Sequence, residues 1–464
     1  MALAGAMHQM LAKPKGRAGR CVAGSGEAAA ETHSDEARAA RHGQANPGAG
    51  DLLEQVLARA NMVEAWKRVK ANKGSAGVDG RTVQATGEWL KSAWPAIREG
   101  LLDGSYRPSP VRRVGIPKAG GAERELGIPT VVDRLIQQAL LQVLQPGIDP
   151  TFSEHSHGFR PGRSAHGAVL QAQQYVSEGC HTVVDVDLEK FFDRVNHDIV
   201  MQRLARHVAD KRVLRLIRRY LEAGLMAEGV VSRRSEGTPQ GGPLSPLLAN
   251  VLLDEVDREL ERRGHRFVRY ADDCNVYVKS QRAGERVLRG LRKCYERLEL
   301  KVNESKTAVG EVWGRKFLGY SFWRAEGHDG QAQVRRAVAS AALERLKQRL
   351  RELTKRNRGR SLEQVAQDLR EYLLGWKAYF RLAQTPEEFE RLDAWLRRRL
   401  RALRLKQWKN DARVYREMRK LGASETMAGA AAAHVGRWWR GSQRCLNTVL
   451  TKAYFDRLGV PRLA

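Results

Sequence analysis

Three aspartates stand where they could share one task in this 464-residue chain. Asp187 lies near the end of the run HTVVDVDL (181–188), and Asp272 and Asp273 are side by side in RYADDCNVYVKS (269–280). Asp is an ordinary turn residue, so a polar hairpin tip is the plain reading of the pair. A cation site is the sharper one. Clustered carboxylates raise each other's pKa, and divalent ions remove that conflict. Mg²⁺ takes hard oxygen ligands, few from the protein and the rest from water and phosphate. Two such ions about 3.5–4 Å apart can activate an attacking hydroxyl and stabilise a departing pyrophosphate. In a basic chain, this chemistry would act on a nucleic-acid end, as in a polymerase or a nuclease.

The chain is indeed basic, with a formal charge of +28. Residues 331–464 hold 31 Lys and Arg against 13 Asp and Glu, an excess of 18. Such a balance implies a polyanionic partner, most simply nucleic acid. No apolar run approaches the ~18 residues needed to cross a bilayer, so no membrane partner is expected. The five cysteines include no C-x-x-C pair, which fits a reduced compartment without a disulfide framework. The 12 histidines show no ligand spacing, and His155 and His157 read as polar loop residues. The first 25 residues are basic without acids but lack a continuous apolar core. Neither a secretory signal nor organelle targeting is expected.

The elements that must position the acids follow from periodicity. Residues 1–50 lack it and read as disordered. A helix is expected over 51–70, a Gly-rich break at NKGSAGVDG (72–80), and a second helix over Glu88–Glu99. VRRVGIPK and RELGIP read as two strands around the turn AGGA, and DRLIQQALLQVL (133–144) as a buried helix. In HTVVDVDL, the period of two sets Asp185 and Asp187 on one face. Helices should run from after Arg194 to about 208 and over 211–223. In 245–260 Ser245 can cap, Pro246 suits the first position, and Leu247, Leu248, Val251, Leu252 and Val256 make one stripe. FVRY, ADD and NVYV then read as strand, tight turn and strand. From about 337 the chain is helical and basic, with stripes Leu343/Leu346/Leu350/Leu353 and Leu392/Leu396/Leu400/Leu403. Trp376, Tyr379, Phe380, Trp395 and Trp408 lie among its Arg and Lys at helical spacing, which favours core, whereas Trp438-Trp439 in GRWWRG is the least core-like pair.

Tyr270-Ala271-Asp272-Asp273 resembles the Y-x-D-D box of reverse transcriptases, and its neighbours resemble the group II intron-encoded members, or maturases. The matching blocks keep that family's order: NKGSAGVDG, IPKAGGAERELGIPTVVDRLIQQAL (116–140), HGFRPGRSAHGAV (157–169), VVDVDLEKFFDRVNHD (183–198), GTPQGGPLSPLLANVLLDEVD (237–257), RYADD, KVNESKT (301–307), KFLGYSF (316–322) and LLGWKAYFRLAQ (373–384). The likeness covers about 51–464. It implies an α+β right-hand polymerase with fingers and palm and a helical thumb/maturase domain. The corresponding divisions are a disordered tail (1–50), an N-terminal extension and fingers (51–110), fingers and palm (111–330), thumb/maturase (331–425) and a short DNA-binding region (426–464).

By the same resemblance Asp187, Asp272 and Asp273 would hold two Mg²⁺ ions, with Mn²⁺ as a substitute. Asp185 is the rival to Asp187, but Phe191 and Phe192 follow Asp187 at the family's spacing. Phe192 would be the gate that excludes a 2′-hydroxyl, with core packing as its alternative. Lys118 and Arg124 would bind triphosphate, and Gln240 the incoming nucleotide. Arg160 and Arg163 would face the template, or be a basic surface loop. Lys306, Gly319 and Tyr320 resemble elements near the primer, though Tyr320 equally suits a core. The implied partners are structured intron RNA, an RNA template with a DNA primer, a DNA target and dNTPs, in a bacterial cytoplasm and on the nucleoid when bound to DNA; a dimer is left open. Many relatives end in an H-N-H endonuclease with paired cysteines; without them here, no second-strand cleavage is expected. The rivals are a splicing-only RNA-binding maturase, an RNA-dependent RNA polymerase, which Phe192 opposes, and a host-domesticated or defence-associated reverse transcriptase.

Overall fold

The computed structural model describes residues 51–117, 123–227, 230–232, 236–238, 241–326 and 331–464. The expected tail (1–50), the AGGA turn with Lys118, and Gln240 lie outside the described residues, and Arg124 is described in its backbone alone. The chain forms two compact units, one from 51–168 and 182–310, the other from 169–181 and 311–464.

The first unit opens with two helices rather than the single one expected. α1 (Leu52–Val56) and α2 (Arg59–Ala71) separate at Leu57-Ala58, where Ala58 turns extended (ψ 137°). α3 (Val83–Leu102) is capped by Thr82, whose hydroxyl accepts from Ala85 N. β1 (Val111–Pro117) and β2 (Glu123–Ile128) pair antiparallel as expected, with Ile116 opposite Arg124. α4 (Val131–Ile148) buries Leu135, Ile136, Ala139 and Leu140. There follow α5 (Ala165–Ser177), which starts in this unit and from Val169 belongs to the other, then β3 (Thr182–Val186), α6 (His197–Leu204), α7 (Lys211–Glu222), β4 (Leu225–Ala227), β5 (Val230–Ser232), α8 (Ser245–Arg262), β6 (Arg266–Tyr270), β7 (Asp273–Val278), α9 (Gln281–Arg297) and β8 (Ala308–Glu311). α6 starts later than the pattern suggested because Asn196 is its cap, accepting from Asp198 N and Ile199 N. Ser245 does not cap α8: Leu244 holds that position, and the Ser245 hydroxyl accepts from Thr238 Oγ1 instead (2.9 Å).

Two four-stranded sheets result, ordered β2-β1-β4-β5 and β6-β7-β3-β8. In the second, β7 is antiparallel to both β6 and β3. α9 packs on this sheet so closely that a Cβ on Gly284 would stand 2.4 Å from a Val309 methyl and 3.4 Å from one of Val184. Val184 and Val186 are buried, while Asp185 and Asp187, one residue out of phase, are partly exposed. The strand's period of two thus gives one face to α9 and turns the acids to the other.

In the second unit β9 (Tyr320–Glu326) and β10 (Ala332–Val338) form an antiparallel pair, followed by α10 (Ser340–Leu353), α11 (Leu362–Tyr379), α12 (Pro386–Gln407), α13 (Asp411–Lys420), α14 (Glu425–Ala432), α15 (Trp438–Arg444) and α16 (Lys452–Arg457). Both leucine stripes are buried, as are Trp376, Tyr379, Phe380 and Trp408. Ser361 and Gln364 close a reciprocal capping box on α11. No helix among the described residues is long and apolar enough to cross a membrane.

Candidate active site

β6 and β7 are joined by a two-residue turn, Ala271-Asp272, with Tyr270 opposite Asp273. Ala271 has φ +58°, a left-handed conformation that normally calls for glycine in such a turn. Its surroundings impose it. The Gly158 backbone lies against the turn, where an added Cβ would come within 2.1 Å of Ala271 N. From below, the Arg269 guanidinium donates to Ala271 O (2.9 Å), Asn250 Oδ1 (2.9 Å), Ser156 Oγ (2.8 Å) and both Asp257 oxygens (2.5–3.0 Å). Asn250 in turn donates to Gly158 O (2.9 Å). Arg269 and Asp257 are 1% and 0% exposed, so this is an ion pair in the core, made tolerable by its complete hydrogen bonding. Nothing in the family blocks singled out these residues for a role. The signal was nevertheless in the sequence: Asn250 and Asp257, seven apart, interrupt the apolar stripe of α8, and Arg269 interrupts FVRY.

β3 brings the third acid. Val186 lies opposite Cys274 at the end of the pairing, and Asp187 follows it directly, near enough for its charge to act on the Asp273 carboxyl. Asp185 lies opposite Asn275, whose amide, turned to satisfy both its atoms, donates to Asp185 Oδ1 (3.0 Å). Asp187 is fixed by KVNESKT: Asn303 N donates to its carbonyl (2.8 Å), and its own N–H donates to Thr307 Oγ1 (3.2 Å). The same segment sets Lys306 Nζ 3.6 Å from Asp187 Oδ1, at the acid itself.

Burial, then Asp272, then Asp185 and Asp187 push the Asp273 carboxyl up to about 6. Among the described residues no group of three or more His, Cys, Asp or Glu side chains is arranged to hold a metal ion by itself. The open set of hard oxygen donors still suits Mg²⁺, which takes only one or two carboxylates and leaves the remaining positions to water and phosphate.

Phe191 is 3% exposed and fills the core, while Phe192 is half-buried against it, edge-on at 5.1 Å. Lys190, just before the two rings, has a left-handed backbone at φ +48°. The Phe192 carbonyl accepts from Thr238 N (2.7 Å), tying it to the T-P-Q-G-G loop that carries Gln240. Gly237 is required there: its φ is +88° and a Cβ would meet Asp193 O at 2.8 Å.

For Arg160 the template-facing expectation needs correction, and for Tyr320 the core alternative is the one the structure agrees with. Arg160 is buried, donating to Asp149, Ser153 O and Ser156 O, so it braces its own loop rather than facing a template. Tyr320 is fully buried, donating to Tyr379 O and packed against Phe380, so it belongs to the core of its unit. Gly319 (φ +82°) accepts from Ala339 N and shapes that turn. Arg163 is partly exposed and paired with Glu154 (2.6 Å).

With this geometry in place, comparison with known proteins is decisive. Residues 116–322 match the family "Reverse transcriptase (RNA-dependent DNA polymerase)", and residues 343–422 match "Group II intron, maturase-specific domain". Protein YkfC of Escherichia coli K12 is 32% identical over 61% of this chain and 85% of its own length. The chain belongs to the group II intron-encoded reverse transcriptases. The intron-encoded protein LtrA of Lactococcus lactis is 36% identical over 42% of this chain, and an uncharacterised 91 kDa protein in the cob intron of Schizosaccharomyces pombe is 33% identical over 44%. The match spans 32% of LtrA and 25% of the yeast protein. This reverse transcriptase is therefore an RNA-directed DNA polymerase with a maturase domain, and its partners are nucleic acids.

Two consequences can be measured. Asp257→Ala leaves the Arg269 charge buried without its partner and should cost about 3–5 kcal/mol in urea unfolding, with loss of primer extension. For Asp273 the folded pKa lies above the ordinary value of 3.8. Its ionisation therefore costs nothing below about pH 4, costs more as pH rises, and costs up to about 3 kcal/mol above pH 6. In chelator, Asp273→Asn should raise the melting temperature at pH 8 and not at pH 4; equal shifts at both would refute the assigned coupling.

Proposed function

We propose that Asp187, Asp272 and Asp273 are the catalytic acids of RNA-templated DNA synthesis from a primer, using dNTPs. The observation that supports this reading is the pairing of Val186 with Cys274, which leaves Asp187 at the end of β3 next to the start of β7 at Asp273, beside the Arg269-braced turn. These acids would hold two Mg²⁺ ions, or Mn²⁺ in their place, and such ions when bound assist the attacking 3′-hydroxyl and the departing pyrophosphate. Phe192, half-buried beside Phe191, is the group against which the sugar of the incoming nucleotide is tested: an aromatic ring there leaves no room for a 2′-hydroxyl. Lys118, Arg124 and Gln240 complete the nucleotide site as phosphate and base contacts. Lys306 holds Asp187 in place before substrate arrives, and Arg163 lies on the template side.

The basic second unit binds the parent intron RNA and assists its splicing, and the same protein serves retrohoming at a DNA target. Its working place is the bacterial cytoplasm and nucleoid. The phosphate contacts of so basic a surface make binding strongly salt-dependent.

Purified protein should extend a DNA primer on an RNA template with dNTPs and Mg²⁺. Asp272→Ala should lower incorporation by at least 10³-fold, a rise on the order of 4 kcal/mol in the barrier; equal incorporation by the variant would remove the acids from the chemistry. Phe192→Val should raise use of ribonucleotides relative to deoxynucleotides by about ten-fold or more. Unchanged sugar selectivity, with extension intact, would return Phe192 to the core.

A further inference from the structure

The block VVDVDLEKFFDRVNHD, which carries Asp187 and Phe192, ends with a histidine turned inward. His197 is 2% exposed at the first position of α6, and its Nε2 stands 2.7 Å from Gly237 O. A carbonyl only accepts, so Nε2 carries the proton and donates it. This contact closes a short ladder. Gly237 N donates to Val195 O (2.8 Å), Thr238 N donates to Phe192 O (2.7 Å), and Asn196 bridges to Glu236. Residues 192–197 and 236–238 are thus laced together, with Phe192 at one end and His197 at the other.

The need for a donor at this point follows from the backbone. Gly237 lies at φ +88° and has no side chain to lock it in place. Its neighbour is anchored: Thr238 is buried, and its hydroxyl donates to Ser245 Oγ (2.9 Å) on α8. Beyond, a Cβ on Gly241 would come within 2.7 Å of Gly127 O, and one on Gly242 within 2.5 Å of Gln137 Oε1. The loop is therefore bounded by α8, β2 and α4, and His197 restrains it at Gly237. Slack at Gly237 would pass to Thr238 N and so to the Phe192 carbonyl. A ring that selects by shape tolerates little displacement. Packing alone would be served as well by leucine, which fills similar space but cannot donate.

We infer that His197 is a positioning residue for sugar selection: its Nε2–H fixes Gly237 and, through Thr238, the backbone that sets the Phe192 ring. It acts through that ring and not on the substrate. The inference rests on the reading of Phe192 as the group that tests the sugar, so both are measured side by side.

The test is single-nucleotide incorporation by the full-length protein on an RNA template with a DNA primer and Mg²⁺, with kcat and KM for a dNTP and the matching rNTP. His197→Leu should raise the rNTP-to-dNTP ratio of kcat/KM by about three-fold or more, with the dNTP cost falling more on KM than on kcat. His197→Gln, whose amide nitrogen can be presented to Gly237 O, should bring the ratio back to within about two-fold of the wild type. In the Phe192→Val background, His197→Leu should add nothing further, because both changes act through one ring. If the Leu variant does not fold, His197→Asn, whose amide is one methylene too short, supplies the same contrast with Gln. A ratio unmoved in the Leu and Asn variants, with only a lowered melting temperature, would overturn the inference and leave His197 a packing residue. Multiplicative effects with Phe192→Val would overturn the route through the ring. Should Phe192→Val itself leave the ratio unchanged with extension intact, the gate falls and this inference with it; a response to Phe192→Val but not to His197→Leu refutes the positioning role alone.

Discussion

A guanidinium buried to 1% exposure is the constraint around which the active site is built. Arg269 takes Asp257 from α8, Ser156 from the loop before α5, and the carbonyl of Ala271 at the turn it underlies. Its energetic contribution is small or negative in principle, since removing two charges from water costs several kcal/mol and an apolar pair of similar volume often does as well. What it supplies is geometry. An apolar replacement could fill the space, but it could not hold a non-glycine residue at φ +58° by bonding to that residue's own carbonyl. The turn is strained at the position where two acids must face outward, and the ion pair under it fixes that strain in place.

On the outer side the electrostatics run the other way. Asp185, Asp187, Asp272 and Asp273 crowd one end of a sheet whose opposite face is packed under α9. The cost appears at Asp273, the member burial affects most. Compensation comes from within the chain: Asn275 donates to Asp185, and Lys306 stands at Asp187. The acids are therefore an isolated negative spot on a protein of charge +28. A polyanion is drawn to the protein as a whole by its excess of Lys and Arg, against the local field of these acids.

Much of this was legible before any coordinates. Alternation in HTVVDVDL gave the shared face of Asp185 and Asp187, and the hairpin around ADD needed only β-rich flanks and a turn. The leucine stripes gave the helices of the second unit, and the exposure of Trp439 against the burial of Trp376 matched a reading from spacing and neighbours. The failures have a common cause. Arg160 and Tyr320 sit in blocks shared with the family, and a shared block does not reveal whether a side chain points to substrate or to its own loop. Ser245 has the residue type of a cap and Pro246 the residue after one, yet Thr238, seven residues away, claims the hydroxyl. The break at Leu57-Ala58 leaves no Gly or Pro to announce it. Each is a tertiary decision overriding a local preference.

The same distinction explains why the site is absent from any short segment of the chain. Asp187 is pinned by Thr307, 120 residues later, and Arg269 reaches Ser156, 113 residues earlier. α8, which supplies Asn250 and Asp257, lies between the two strands in sequence and belongs to neither. No local fold of RYADD or of VVDVDL could hold its acids outward, because the groups that restrain each come from elsewhere. Loop-closure entropy must be met before such contacts stabilise anything, so the carboxylates come together only when the sheet, α8 and the 301–307 segment are all in place. Until then the charges remain apart and solvated, and their repulsion opposes collapse least. A site of like charges thus rests on a frame that the buried Arg269–Asp257 pair helps to hold.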